Sequence, residues 1–335
     1  MRPSLSAMTS STVRRLLAGA AVGGLLLTGL GVLGAERHAA GPSRPGAPPD
    51  ALVEVAAEAE VPVASVVSPA VRRVPKLPGG GTRVFGKHRF LVAYYGTAGT
   101  GSLGVLGETT PDEMHRRLRR AAHPFLLEGE RIQTVYELIV TVADPIAGPD
   151  GDFSHDIAAD SVRAYIEAAH RNGALVVLDL QPGRADFLTV AKRWAWALAD
   201  PWVGLALDPE WRMGPRQVPG RVIGSVGATE VNQVSAWLAG LVEREGLPEK
   251  AFVLHQFRST MIRDVERVRS RDGLATVQHV DGFGNQGEKL ATYHAVARPA
   301  QFAMGFKLFY DEDVNLFSPA RVRTIRPSVR FVSYQ

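Results

Sequence analysis

Two carboxylic acids, Asp208 and Glu210, end a short apolar strand. Side chains alternate across a strand, so both acids lie on its small-residue face, whereas Val203, Leu205 and Leu207 form the bulky opposite face. Paired carboxylates raise one pKa, which lets one group donate a proton while its neighbour stays ionised. Glycoside cleavage needs this division of roles, and a buried structural network is the alternative. The pair therefore predicts Glu210 as a general acid and Asp208 as the group that tunes it or orients the substrate.

The rest of the chain predicts a parallel barrel that would position these acids. Strand-like segments alternate with helical ones, and this order is typical of a (β/α)8 TIM barrel, with a doubly wound open sheet as the alternative. The predicted strands cover residues 89–95, 134–142, 174–181, 203–211, 251–257, 275–281, 302–310 and 328–334. The predicted helices cover residues 110–127, 156–171, 185–199, 229–245, 259–272 and 288–297, with a short one from residue 318.

Polar residues recur where the predicted strands end, and in a barrel these ends converge on one substrate. Asp179 or Asp281 is the candidate second carboxylate across the cleft from Glu210. Glu137, in the middle of the second strand, is expected to form a core ion pair, with Lys307 as its candidate partner. The candidate substrate-binding residues are Tyr95, Gln181, Trp211, His255, Lys307 and Tyr310.

Aromatic residues near the same rim could stack on sugar rings or simply pack. Trp211 directly follows the acids, which favours a substrate role for this residue. The other aromatics expected at the rim are Trp202, Phe257, Phe283 and Phe309.

The segment from Gly204 to Trp211 resembles the fourth-strand motif of chitinase-like barrel glycosidases, D-G-x-D-x-D-x-E. Gly204, Asp208 and Glu210 match the motif, whereas Val203 and Ala206 replace two aspartates of the family. The resemblance implies a barrel in which Glu210 is the acid and Asp208 assists an N-acetyl group of the substrate. Muramidase-type barrels also carry an Asp-x-Glu pair at this place.

Composition and motifs disfavour several other functions. The chain has 335 residues, a net charge of +4 and no cysteine, which excludes disulfides, thiolate metal sites and a cysteine nucleophile. The sequence lacks the basic helix that would predict nucleic-acid binding. It also lacks the H-x-H and H-E-x-x-H motifs that would predict a metal site. We expect no cofactor. The glycines at residues 99–104 match G-x-G-x-x-G, but the next helix begins near Pro111, too late to hold a pyrophosphate, so a nicotinamide-dependent oxidoreductase is a weaker alternative.

The N-terminal region predicts export. Arg14 and Arg15 precede an uncharged run from Leu16 to Ala35, which is typical of a secretory signal peptide or of an uncleaved membrane anchor. Residues 36–87 are rich in proline, alanine and glycine and predict a linker, so the barrel domain is expected over residues 88–335.

Together these features favour an exported glycoside hydrolase that acts on cell-envelope or extracellular polysaccharide. The alternative is a non-catalytic envelope protein that binds glycan in the same cleft. A long loop at residues 209–228 carries Arg212, Arg216 and Arg221, which could meet an acidic polymer.

Overall fold

The computed structural model describes residues 73–86 and 88–335. The predicted signal or anchor segment at residues 1–35 and most of the predicted linker lie outside these residues. No helix among the described residues has the length and apolar character needed to cross a membrane.

Eight parallel strands, named here β1 to β8, form a closed barrel. Each strand pairs with the next along the chain, and β8 pairs with β1, so the ring of eight strands is closed; the short strand Ser154–Asp156 adds an antiparallel pairing at the end of β2. This closure confirms the (β/α)8 barrel and excludes the doubly wound open sheet. The strands are β1 Arg89–Gly96, β2 Arg131–Ala143, β3 Leu175–Leu180, β4 Val203–Leu207, β5 Lys250–His255, β6 Leu274–Val280, β7 Ala303–Leu308 and β8 Val329–Tyr334.

Helices connect most of the strands, and their ends follow the signals in the sequence. Gly173 and Gly246 end two of them in the left-handed conformation, with φ of +66° and +63°. Asn285 and Glu288 form a capping box at the start of another. The α-helices are α1 Pro111–Ala122, α2 Ala159–Asn172, α3 Phe187–Arg193, α4 Ala195–Leu198, α5 Ala228–Glu245, α6 Gln286–Val296 and α7 Pro319–Arg323.

One predicted helix, at residues 259–272, is wrong. Two single turns of 3-10 helix, Ser259–Met261 and Val265–Arg267, stand in its place, separated by the short strand Ile262–Arg263. Asp264 has a φ of +53°, in the left-handed region, so an α-helix cannot continue through this residue.

Successive side chains of each strand point alternately into two apolar cores, one between the strands and the helices and one inside the barrel. Val203, Leu205 and Leu207 face the helices and are buried, as the period of two predicts. The opposite face of β4 lines the barrel interior, where space is short. A Cβ on Gly204 would lie 2.5 Å from the backbone oxygen of Ala251, so only glycine fits between these two strands.

Residues 73–86 pack against the barrel interior at the end where the strands begin. Leu77 and Val84 are 3% and 1% exposed and belong to the inner apolar cluster. The Nε1 of Trp202 donates to the backbone oxygen of Lys76 over 2.9 Å, and Val84 N donates to Glu249 Oε2 over 2.6 Å. The compact unit therefore includes residues 73–86, which the sequence analysis placed in the linker.

Replacing Leu77 tests whether this segment is part of the barrel. We expect Leu77→Ala to lower the free energy of unfolding by about 2–5 kcal/mol, because it removes a buried side chain and leaves a cavity. The matched control is Val74→Ala, since Val74 is 43% exposed; its effect should stay within about 0.5 kcal/mol. Urea denaturation measures both. Equal midpoints for the two variants would show that the segment contributes nothing to the fold.

Candidate active site

The strands deliver ionisable side chains to the interior of the barrel at their carboxyl ends. All of these side chains come from the interior face or from the first residues after a strand, which is where barrel enzymes hold their chemistry. They are Tyr95, Glu137, Asp179, Asp208, Glu210, His255, His279, Asp281, Lys307 and Ser333.

His255 lies at the centre of this group and contacts three carboxylates. Its Nδ1 is 3.1 Å from Asp281 Oδ2, and its Nε2 is 3.3 Å from Glu137 Oε1 and 3.9 Å from Asp179 Oδ1. The ring is fully buried, and burial disfavours the cation. The surrounding negative charges of Asp179, Asp281 and Glu137 outweigh burial and raise the pKa of His255 well above its usual value. His255 is therefore an imidazolium held between carboxylates.

Glu137 and Asp281 are the carboxylates that stay ionised. Burial opposes ionisation of Glu137, but the neighbouring His255 prevails and lowers its pKa. Burial likewise opposes ionisation of Asp281, and its hydrogen bond to His255 prevails and lowers its pKa below the usual 3.8. Within the described residues, neither oxygen of Glu137 accepts a hydrogen bond, so the contact with His255 is what compensates its burial.

Asp179 forms a second group with Tyr95 and Gln181. The Tyr95 hydroxyl donates to Asp179 Oδ2 over 2.7 Å, and Gln181 Nε2 lies 3.4 Å from the same hydroxyl. Lys307 Nζ lies 3.3 Å from the centre of the Tyr95 ring. Burial raises the pKa of Asp179 despite the nearby cation of His255.

The pKa values of Glu210 and Asp208 are both raised, which favours their protonated forms. Burial, followed by the negative charge of Asp281, raises the pKa of Glu210 to about 7. Burial also raises the pKa of Asp208 well above its usual value, and the charges of Asp179, Glu210 and Asp281 add to this effect. Asp208 Oδ1 accepts a hydrogen bond from the Glu210 backbone N over 3.1 Å and caps the 3-10 turn Pro209–Trp211. This cap fixes the position of the Glu210 backbone in the turn.

His279 is the uncharged member of the group. Its Nε2 lies 2.7 Å from the Ser333 hydroxyl, and burial lowers its pKa to about 3. The ring occupies space left by Gly305 on the neighbouring strand, where a Cβ would lie 2.1 Å from His279 Nδ1. Gly305 is therefore required by the histidine beside it.

The predicted partner of Glu137 is wrong. Glu137 lies at ion-pair distance from His255, whereas Lys307 covers the Tyr95 ring. The predicted rim position of Trp202 is also wrong. Trp202 precedes β4 and lies at the opposite end of the barrel from Glu210, where it is hydrogen-bonded to Lys76.

Three predicted substrate-binding residues lie beneath the mouth rather than on its rim. Tyr95, Gln181 and His255 are buried, and their polar atoms contact protein groups. Lys307 is buried as well, at 3% exposed. Ser333 was missed, although its position two residues after the interior-facing Phe331 places it on the same face.

The accessible rim is aromatic. Tyr310 and Phe283 are each 42% exposed, Tyr310 stacks on Tyr334, and Phe283 packs edge-on against Phe309. Trp211 is partly exposed at the end of the turn that carries Glu210. Such faces can stack on sugar rings.

The Gly99–Gly104 loop, the weaker nucleotide-site alternative, is explained by packing. The Gly99–Gly104 loop folds back on β1, since a Cβ on Gly104 would lie 2.3 Å from the Tyr95 backbone oxygen, and α1 begins only at Pro111. Within residues 73–86 and 88–335, no group of three or more His, Asp or Glu side chains is arranged to hold a metal ion.

No family model matches the chain, and no curated protein matches it. Among solved structures, the chain is similar to a hyperthermophilic endo-beta-1,4-glucanase in complex with substrate, at 10% identity and a TM-score of 0.39, over 74% of this chain and 88% of that chain. A similarity of this size establishes neither a shared activity nor the chitinase-like resemblance of the strand-four motif.

His255 and His279 should differ in charge across the neutral range. We expect ¹⁵N NMR to show both ring nitrogens of His255 protonated at pH 8, because its pKa is raised, and His279 neutral at every pH above about 4, because its pKa is lowered to about 3. Each histidine is the control for the other. A neutral His255 at pH 6 would contradict the arrangement.

Proposed function

We propose that the protein is an exported glycoside hydrolase that cleaves a polysaccharide of the cell envelope or the extracellular space. The observation that carries the proposal is that Glu210 and Asp281 follow β4 and β6 at the same barrel mouth, one with a raised pKa and the other with a lowered pKa. Acid-catalysed glycoside cleavage uses one protonated and one ionised carboxyl group. The basic segment and apolar run at the N-terminus support export.

In the proposed mechanism Glu210 protonates the glycosidic oxygen as the bond breaks. Its pKa of about 7 leaves the proton in place in neutral or mildly acidic surroundings and lets it leave during the reaction. Asp281 acts on the opposite side of the sugar, as the nucleophile or as the base that activates water. The His255 imidazolium keeps Asp281 ionised and fixes its orientation.

Asp281 suits this role better than Asp179. Both were candidates, but Asp179 is fully buried, has a raised pKa and already accepts a hydrogen bond from Tyr95. Asp281 is 6% exposed and has a lowered pKa. Asp179 then lies in the wall beneath the substrate, hydrogen-bonded to Tyr95.

The aromatic rim supports a sugar substrate. Trp211 lies directly after the proposed acid, and Tyr310 and Phe283 present faces on the side where β6 and β7 end. Aromatic faces of this kind bind the apolar faces of sugar rings. We therefore assign Trp211 and Tyr310 to substrate binding.

Replacing Glu210 tests the proposed acid. We expect Glu210→Gln to lower kcat by about 10²–10⁴-fold on a true substrate, because amide nitrogen cannot supply the proton. The wild-type rate should fall as the pH rises through about 7, where Glu210 loses its proton, and again in acid, below the usual carboxyl range, where Asp281 gains one because its pKa is lowered. Hydrolysis of a glycan panel and circular dichroism measure activity and folding.

The matched control is Glu243→Gln on the exposed face of α5, which should leave the rate unchanged. Full activity of a folded Glu210→Gln variant would refute the assignment. Glycan binding by the wild type without turnover would favour a non-catalytic binding protein instead.

Asparagine replacements distinguish the two candidate partners of Glu210. Asparagine keeps the size of the carboxyl group but cannot act as a nucleophile or a base, so Asp179→Asn should retain activity within about tenfold, whereas Asp281→Asn should lose about 10²-fold or more because it removes the reacting carboxylate. The Tyr95 hydroxyl can still donate to the amide oxygen at position 179. The opposite ranking of kcat would transfer the role to Asp179.

A further inference from the structure

A polar pocket lies beside the turn that carries Glu210. Its cavity volume is about 440 Å³, within the range of small-ligand sites, roughly 300–1,000 Å³. The loop that follows the turn forms much of its wall, including Arg212, Arg216 and Ser225, and Arg263 reaches it from the connection between β5 and β6.

The pocket wall is joined rigidly to the proposed acid. Gly224 N donates to the Glu210 backbone oxygen over 2.6 Å, and Ser225 N donates to the Arg212 backbone oxygen over 3.0 Å. Met213 N donates to the Gly183 backbone oxygen over 2.6 Å, which ties the loop to the exit of β3. These bonds hold the pocket wall in a fixed position relative to the backbone of Glu210.

The charges of the pocket are unbalanced. Glu230 is its one acidic residue, and it pairs with Arg212, the two side chains lying 2.9 Å apart. Within the part of the chain that the structure describes, neither Arg216 nor Arg263 forms an ion pair, although Arg263 donates to the Ser225 hydroxyl. Two guanidinium groups thus remain for a ligand. Guanidinium forks match carboxylate and phosphate oxygens.

We propose that this pocket is a subsite for an anionic substituent, a carboxylate or a phosphate, on the glycan that extends from Glu210. The inference rests on the proposed function and adds to it the chemical class of the substrate. Arg212 is held by Glu230 and shapes the wall, while Arg216 and Arg263 supply the charge. The protein then selects acidic polysaccharides over neutral ones.

The test compares three oligosaccharides of equal length: an oligouronate, a phosphate-substituted oligosaccharide and a neutral one. Binding to the full chain carrying Glu210→Gln is measured by calorimetry at low and high salt. We expect at least one anionic ligand to bind about tenfold or more tightly than the neutral one, with a preference that shrinks at high salt. The tighter of the two anionic ligands identifies the substituent.

Arg216→Gln combined with Arg263→Gln should reduce the preference to about twofold or less. The matched control is Arg120→Gln combined with Arg298→Gln, which removes the same charge from exposed residues outside the pocket and should keep the preference. Equal affinity for all three ligands, no binding of any of them, or a preference that survives the loss of Arg216 and Arg263 would overturn the proposal.

The proposed function can fail separately from the subsite. If Glu210→Gln hydrolyses substrate at the wild-type rate while the anionic preference depends on Arg216 and Arg263, the subsite stands and the catalytic assignment falls. If Glu210→Gln is inactive and no anionic preference exists, the hydrolase stands and the subsite falls.

Discussion

The interior of the barrel must remain close to electrical neutrality, and this constraint governs the site. Its carboxyl groups are Glu137, Asp179, Asp208, Glu210 and Asp281, and its cations are His255 and Lys307. Full ionisation would leave three uncompensated negative charges, which a buried site cannot sustain. Protonation of some of the acids reduces this imbalance. The raised pKa values of Asp179, Asp208 and Glu210 favour protonation of these three groups, whereas the lowered pKa values of Glu137 and Asp281 favour their ionisation.

The same constraint ties the chemistry to barrel closure. Glu137 comes from β2, His255 from β5, and Asp281 follows β6, so no local segment could bring them together. Only a closed ring of strands places these side chains around one axis. Small residues contribute to this arrangement, because Gly305 leaves space for the ring of His279. This neutral ring lies between the charged groups and the Ser333 hydroxyl. Stability and protonation state therefore depend on the same contacts.

Much of the fold could be predicted from the sequence, because alternating apolar residues show which face of a strand is buried. The bulky and small faces of β4 are an example, and they placed Asp208 and Glu210 at the mouth. Alternation specifies a face but not a neighbour across the lumen. The pairing of Glu137 with His255 instead of Lys307 depends on strand register and on closure of the barrel. The absent helix after Ser259 depends on the left-handed conformation of Asp264, which the apolar pattern there does not reveal.

The acids share one network of charges, and access to substrate then decides which of them can take part in the reaction. Asp179 and Glu137 are fully buried, and their side chains contact His255 and, for Asp179, Tyr95. Asp281 and Glu210 lie just beyond the ends of β6 and β4, where the strands no longer cover them on both sides. A charge deep in the lumen can fix the protonation of an outer acid through electrostatics, which act over several ångströms in a poorly polarisable interior. A proton transfer to substrate requires contact. The inner carboxylates consequently set the state of the site, and the outer pair is positioned to carry out its reaction.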